Sequence, residues 1–281
     1  MIAQFLEPRD LDEACRTLAG DEWGAKVISG GTALVLMMRQ GLVVPSTLVS
    51  IGQFDALRGI RREGSSMWIG SRTTHTAIAT SANMLTWLPS LAEACRSVGN
   101  IRIRNVGTIG GNLAEADYAS DPPTVLVGLD AVCHVIGPEG ERQVPVADLA
   151  TGFYATSLQP GEIITGLSVL LDPNRVYAYE KYVSRSSEDR PCVGVATMAR
   201  FDGNRLERLS VVVGAVAPVP QRFEQITEQA VGTSLDDRVR RDIARDIADA
   251  IDPIEDGRGS AWYRRRITSV LVRRALERVS Q

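Results

Sequence analysis

The sequence predicts an α+β protein in two parts, and three observations carry that expectation. Short apolar runs alternate with amphipathic stretches as far as Leu171. Two glycine pairs punctuate the hand-overs between them. Beyond Asp172-Pro173-Asn174, long β-rich runs lead into two final helical segments. The boundary is placed there, giving parts of 1–172 and 173–281, with the first divided into subdomains of about 1–56 and 57–172.

At 281 residues the chain can bury a substantial core. Hydrophobic residues make up 44%, charged residues 23%, and the net charge is −3, which gives no electrostatic case for nucleic acid or anionic lipid as a partner. No apolar run reaches the length of a membrane span. The start, Met1 to Pro8, lacks the basic and apolar regions of a secretory leader, so a cytoplasmic protein is expected. Cys15, Cys95, Cys133 and Cys192 are scattered without a Cys-x-x-Cys pair, which argues against a cluster, a zinc site or a disulfide framework on this chain.

The first segment reads as an αβαβ unit. Asp10 caps a helix with Glu13 as its third residue, and Leu11, Ala14, Cys15 and Leu18 form the apolar stripe. Lys26 to Ser29 is a strand, and a helix from Ala33 to Gln40 stops at Gly41. Thr47 to Ile51 is a further strand. A second unit opens near Met67, and a helix begins at Pro89 and stops at Gly99. Ala131–Ile136 and Gln143–Val146 pair around Gly137-Pro138-Glu139-Gly140, and Leu158-Gln159-Pro160-Gly161 turns into another strand. Val193–Phe201 and Leu206–Val216 form a hairpin about Asp202-Gly203-Asn204. The last helix puts Tyr263, Ile267, Val270, Leu271 and Ala275 on one face and most of its arginines on the other, a solvated face or a subunit contact.

Two glycine pairs carry the chemistry. Ser29-Gly30-Gly31-Thr32 lies where a strand hands over to a helix, where loop amides and the helix start favour a phosphate. Thr108-Ile109-Gly110-Gly111-Asn112 is a turn with two adjacent residues lacking Cβ, so backbone N–H groups can crowd an anion. Asp121 follows downstream, where a carboxylate could accept from ribityl or ribose hydroxyls. Two such loops suggest a pyrophosphate held from both sides, hence a dinucleotide such as FAD. The competing reading of each is a tight turn that needs glycine for its backbone angles alone. His75 and His134 stand in no metal-ligand spacing, and no Ser-His-Asp set, Gly-x-x-x-x-Gly-Lys loop or Gly-x-Gly-x-x-Gly fingerprint occurs.

Ordered blocks then extend along the chain: Lys26 to Leu34, Ile101 to Asn112, Ala116 to Asp121, Leu158 to Ile164, Tyr179-Glu180-Lys181, Gly214 to Pro218, and Tyr263 to Arg266. Together they resemble the FAD-binding medium subunit of the molybdenum hydroxylases, the xanthine dehydrogenase and aerobic carbon monoxide dehydrogenase family. The resemblance implies a two-subdomain FAD domain of the vanillyl-alcohol-oxidase (PCMH) type, then a smaller α+β domain closing over the flavin. It further implies that Lys26, Val27, Ile28, Ser29, Gly30, Gly31, Thr32, Ala33 and Leu34, with Thr108, Gly110, Gly111 and Asn112, wrap the pyrophosphate. Asp121 would bind the ribityl region, and Val98, Ile164 and Lys181 would approach the isoalloxazine. Ala33 stands where members usually carry a polar residue, and Arg190 where relatives often have a small, aliphatic or aromatic one. The implied partners are a large molybdopterin-binding subunit and a small subunit with [2Fe–2S] clusters, assembled as a dimer of heterotrimers, with this chain passing electrons to an external acceptor. A stand-alone flavin reductase of the same fold and a cofactor-free assembly module are the alternatives.

Overall fold

A computed structural model describes residues 4–21 and 24–280. Met1 to Ala3, part of the stretch read above for a leader, lie outside the described residues. The chain starts with β1 (Gln4–Leu6), α1 (Leu11–Gly20), β2 (Ala25–Ile28), α2 (Leu34–Arg39) and β3 (Thr47–Ser50). These strands form a parallel sheet in the order β1-β3-β2. The unit is therefore βαβαβ rather than αβαβ, because the three-residue β1 is too short to show a period yet pairs with β3. Asp10 caps α1 by accepting from the Glu13 N–H at 2.7 Å, as expected.

The second unit holds β4 (Ile60–Glu63), β5 (Ser66–Gly70), α3 (His75–Thr80), α4 (Ala82–Trp87), α5 (Pro89–Arg96), α6 (Ile101–Arg104), α7 (Ile109–Glu115) and α8 (Asp121–Gly128). It continues with β6 (Val132–Gly137), β7 (Gly140–Pro145), α9 (Val146–Leu149), β8 (Ala150–Gly152), β9 (Ala155–Thr156) and β10 (Ile163–Leu170). Its five-stranded antiparallel sheet runs β4-β5-β10-β6-β7. One expectation is overturned here. Ile109, Gly110, Gly111 and Asn112 are the first turn of α7, capped by the Thr108 hydroxyl, not a loop. Glycine weakens a helix by only about 1 kcal/mol per residue, and the cap and the packing described below outweigh that.

The third unit is an antiparallel sheet in chain order, β11 (Arg175–Tyr182), β12 (Val193–Asp202), β13 (Arg205–Gly214) and β14 (Gln221–Arg222). It is followed by α10 (Glu224–Glu228), α11 (Asp237–Ala250) and α12 (Ala261–Val279). In β12, residues Val193 to Ala199 are all buried, because both faces of the sheet are covered. Val193 and Val195 face a core made with α11 and α12, whereas Ala196 and Met198 join the core of the second unit. On the terminal helix, Leu271 and Ala275 are buried as expected, but Val270 is exposed and Arg264 is fully buried. The guanidinium of Arg264 donates to the carbonyls of Cys192 and Ala215 and to the Asp256 carboxylate. Those partners come from distant segments, so a helical wheel placed Arg264 on the wet face. All four cysteines are free and buried. Among the described residues no helix is long and apolar enough to cross a membrane.

Candidate functional site

Three segments converge into one cradle. The Ser29–Thr32 turn leaves β2, residues 71–75 leave β5, and residues 106–111 lead into α7. Residues 71–75 run alongside the third segment. The His75 N–H donates to Gly107 O at 3.0 Å, Ile109 N–H to Thr73 O at 3.0 Å, and Gly110 N–H to Ser71 O at 2.8 Å. Thr74 and Thr108 form an isolated antiparallel bridge.

The glycines are where these segments touch. A Cβ on Gly30 would lie 2.2 Å from the Val106 carbonyl oxygen, so only glycine lets the two loops meet. Gly31 has φ +66°, a left-handed conformation that favours glycine. A Cβ on Gly110 would lie 2.5 Å from Ser71 Cβ, and one on Gly107 3.3 Å from His75 Cδ2. Gly111 differs: it is exposed, and its Cβ would meet only the Thr108 hydroxyl, at 2.9 Å. The Thr108 hydroxyl also reaches Ser29 Oγ at 3.4 Å.

The cradle suits an anion. Among the described residues the N–H groups of Gly30, Gly31 and Thr32 donate to no protein acceptor. Ala33 caps α2 without a side-chain hydrogen bond, and of the first amides of that helix Val35 N–H donates to Gly31 O at 3.0 Å. Lys26 is exposed on β2, and Val27, Ile28 and Leu34 are half-buried, flanking the turn. Asn112 hydrogen bonds Ser120 at 2.7 Å and so ties α7 to the start of α8.

The sequence reading missed Ser71, Thr73 and His75. His75 is 2% exposed and among the described residues its Nδ1 has no partner, nor has the Ser71 hydroxyl. Burial, with Arg104 nearby, lowers the imidazole to about 4, so the ring is neutral. The available signal was Thr74, an N-cap residue just after an apolar strand.

The other expected residues gather at the seam between the second and third units. Asp121, first residue of α8, is 3% exposed. Its Oδ1 accepts from Tyr179 Oη at 2.6 Å and its Oδ2 from Lys181 Nζ at 3.0 Å. Lys181 Nζ also donates to Ser97 O, 2.7 Å away, beside Val98 at the end of α5. Burial pushes the Asp121 carboxyl up to about 6 despite Lys181 and Tyr179, which pull it down. Ile164 is buried on β10, and the adjoining Thr165 carbonyl accepts the Ser71 N–H, which links it to the cradle.

A second crosslink lies nearby. Arg190 pairs with Asp117 at 2.6 Å, and Tyr118 donates to Asp256 at 2.7 Å. Burial, with Asp117 nearby, raises Glu115 to about 7. At Asp256 burial acts upward, but bonds from Tyr118, the Arg258 N–H and Arg264 prevail and lower the carboxyl to about 2. Among the described residues no three His, Cys, Asp or Glu side chains group as metal ligands.

Comparison with known proteins matches both parts of the chain. The family described as FAD binding domain in molybdopterin dehydrogenase matches residues 1–169, and the CO dehydrogenase flavoprotein C-terminal domain matches residues 177–279. The carbon monoxide dehydrogenase medium chain of Afipia carboxidovorans is 34% identical over 98% of this chain and 95% of its own length. The glyceraldehyde dehydrogenase medium chain of Sulfolobus acidocaldarius is 29% identical over 98% of each. A solved structure of reconstituted CO dehydrogenase from Oligotropha carboxidovorans superposes with a TM-score of 0.94 at 32% identity, covering 100% of this chain and 98% of that one.

Proposed function

The chain belongs to the FAD-binding medium subunits of the molybdopterin dehydrogenases, and from that premise we propose that it is the electron-exit subunit of a heterotrimeric molybdenum hydroxylase. A large molybdopterin-bearing subunit hydroxylates the substrate. A small subunit relays electrons over [2Fe–2S] clusters to the FAD on this chain, which passes them to an external acceptor. The complex is a cytoplasmic dimer of heterotrimers.

The observation that carries the cofactor role is the cradle itself, where a Cβ on Gly30 would strike Val106 O and the turn amides stay uncommitted. Ser29 to Leu34, with Thr108, Gly110, Gly111 and Asn112, hold the pyrophosphate, and Lys26 to Ile28 support that turn. Val98, Ile164, Asp121 and Lys181 line the flavin end, with the part before about residue 172 binding the cofactor and the part after it closing over the ring. The bound flavin supplies the electron-accepting chemistry. The chain's task is to bind it, orient it and keep its surroundings charged as required.

The purified chain is expected to be yellow and to release FAD on acid precipitation, with no flavin left in the pellet. Gly30→Ala is expected to weaken FAD binding about ten- to a hundredfold, since relieving such a clash costs about 1–3 kcal/mol, while circular dichroism stays native. Co-expression with the two partner subunits is expected to give a complex of molybdenum, iron and FAD, in which alone substrate bleaches the flavin. A colourless chain that cannot be reconstituted, or substrate-driven bleaching of the isolated chain at the rate of the complex, would refute the reading.

A further inference from the structure

The exposed Val270 of α12 is not alone. Trp262, Arg266, Val270, Arg273 and Arg274 recur at spacings of three or four residues, so they share one face of that helix. Trp262 is 67% exposed and Val270 43%. The Arg266 guanidinium lies 5.7 Å from the centroid of the Trp262 ring, and neither side chain is spent on the core of this chain. Tryptophan and arginine are the residues that most often anchor contacts between proteins.

Beside this stripe runs a groove. α11 lies antiparallel to α12, since Arg240 donates to the Ser280 hydroxyl at one end and Arg265 to the Ile251 carbonyl at the other. The groove between them holds about 660 Å³, with Arg241 and Arg245 on the α11 side and Arg273, Arg274 and Val270 on the α12 side. Its four arginines face only two acids, Asp242 and Glu277. Asp242 is taken by Arg245 at 3.0 Å. The carboxylate of Asp237, at the start of α11, is shared by Arg240, Arg241 and Arg273, the last at 4.0 Å. Among the described residues Arg274 has no ion-pair partner. In a chain of net charge −3 this surplus of positive charge is local.

We propose that the groove and the Trp262 stripe dock a carboxylate-rich segment of another protein, its carboxylates on Arg273 and Arg274 and its apolar side chains on Val270 and Trp262. Guanidinium forks bind carboxylates through paired hydrogen bonds. Apolar anchors within a charged rim are the anatomy of a protein contact. Nucleic acid fits less well, because its phosphates would meet Asp242 and Glu277. The proposal is independent of the cofactor role, since none of these residues belongs to the cradle or to the seam around Asp121.

The test titrates the full chain with a labelled synthetic peptide of alternating Glu and Leu, read by anisotropy and by tryptophan emission. Binding is expected to shift the emission, and Trp262→Phe to lose that shift and bind more weakly. Arg274→Glu should weaken the peptide about tenfold, as loss of an anchoring contact does. Arg9→Glu, an equal change of charge on the first unit, should leave binding unchanged. Val270→Ser removes no charge and should still weaken binding severalfold, with native circular dichroism. Equal losses in Arg9→Glu and Arg274→Glu would overturn the proposal by reducing it to overall charge. A wild type that ignores the peptide would overturn it too. So would tighter binding of inorganic phosphate or of a DNA oligonucleotide, which would make the groove an anion or nucleic-acid site.

Discussion

His75 shows how much a single buried ring adds to the energetics of the site. Its imidazole titrates at about 4, against 6.5 for an ordinary histidine, because it is buried and faces Arg104. The unfolded chain therefore takes up a proton as pH falls through about 6.5, while the folded chain resists until about 4. Stability from this group is fully present above 6.5 and is lost as pH drops through that window. The gap of about 2.5 pH units, at about 1.4 kcal/mol each, comes to about 3.5 kcal/mol, of which about 3 kcal/mol is lost between pH 7 and pH 4. Asp121 and Glu115 act oppositely over part of the same range, since burial raises both carboxyls and so favours the folded state at low pH. The whole protein's pH profile therefore mixes opposing slopes, and the His75 contribution has to be isolated by difference. Urea unfolding of the wild type and of His75→Phe at pH 4 and pH 7 should show the wild type's relative stability greater at pH 7 by about that amount. A difference independent of pH would mean the ring is not held neutral beneath Gly107.

At the scale of elements, α8 is driven into the third sheet at two glycines. A Cβ on Gly214 of β13 would lie 1.9 Å from Thr124 Oγ1, and one on Gly128 of α8 would lie 2.3 Å from Met198 Cε. The obstacles differ in kind. Thr124 is a β-branched residue in a helix with little rotamer freedom, whereas a methionine terminus swings aside. Gly214→Ala is expected to destabilise by about 1–3 kcal/mol, and Gly128→Ala by clearly less. Thermal melts of the two variants side by side check the ranking, and equal losses would contradict it. Elements of this kind were legible in the sequence where local chemistry decides them. Asp10 announced α1, Gly41 the end of α2, and Asp202-Gly203-Asn204 the β12–β13 hairpin. Elements and residues fixed by distant partners were not. β1 exists because β3 pairs with it, the first turn of α7 is helical because Ser71 packs on Gly110 and Thr108 caps it, and Arg264 is buried because three acceptors from other segments surround it. The candidate site followed the same division. Both glycine pairs could be read locally, but the 71–75 segment that joins them could not.

On the scale of the whole molecule, the stretch near residue 172 where the second sheet gives way to the third does not separate their cores. Tyr179, Ala196, Met198 and Val212 of the third unit belong to the apolar core of the second, alongside Leu91, Leu126 and Leu167. An interface this apolar does not hinge freely. Unfolding in urea of a Trp262→Phe variant, whose remaining tryptophans all precede residue 172, should therefore show one transition, with tryptophan fluorescence coinciding with far-ultraviolet circular dichroism. Two separated transitions would show that the parts fold alone. The doubly covered β12 also bears on how such chains can recombine. Substitutions on one side of that strand must suit α11 and α12, and those on the other must suit α8, while α5 packs on the neighbouring β11; both of these helices are encoded earlier. A tail grafted at residue 172 from a relative at about one-third identity would bring one matched side and one mismatched side. Crossovers that preserve the fold should instead fall upstream of Pro89, so that both helices are inherited with the sheet they support.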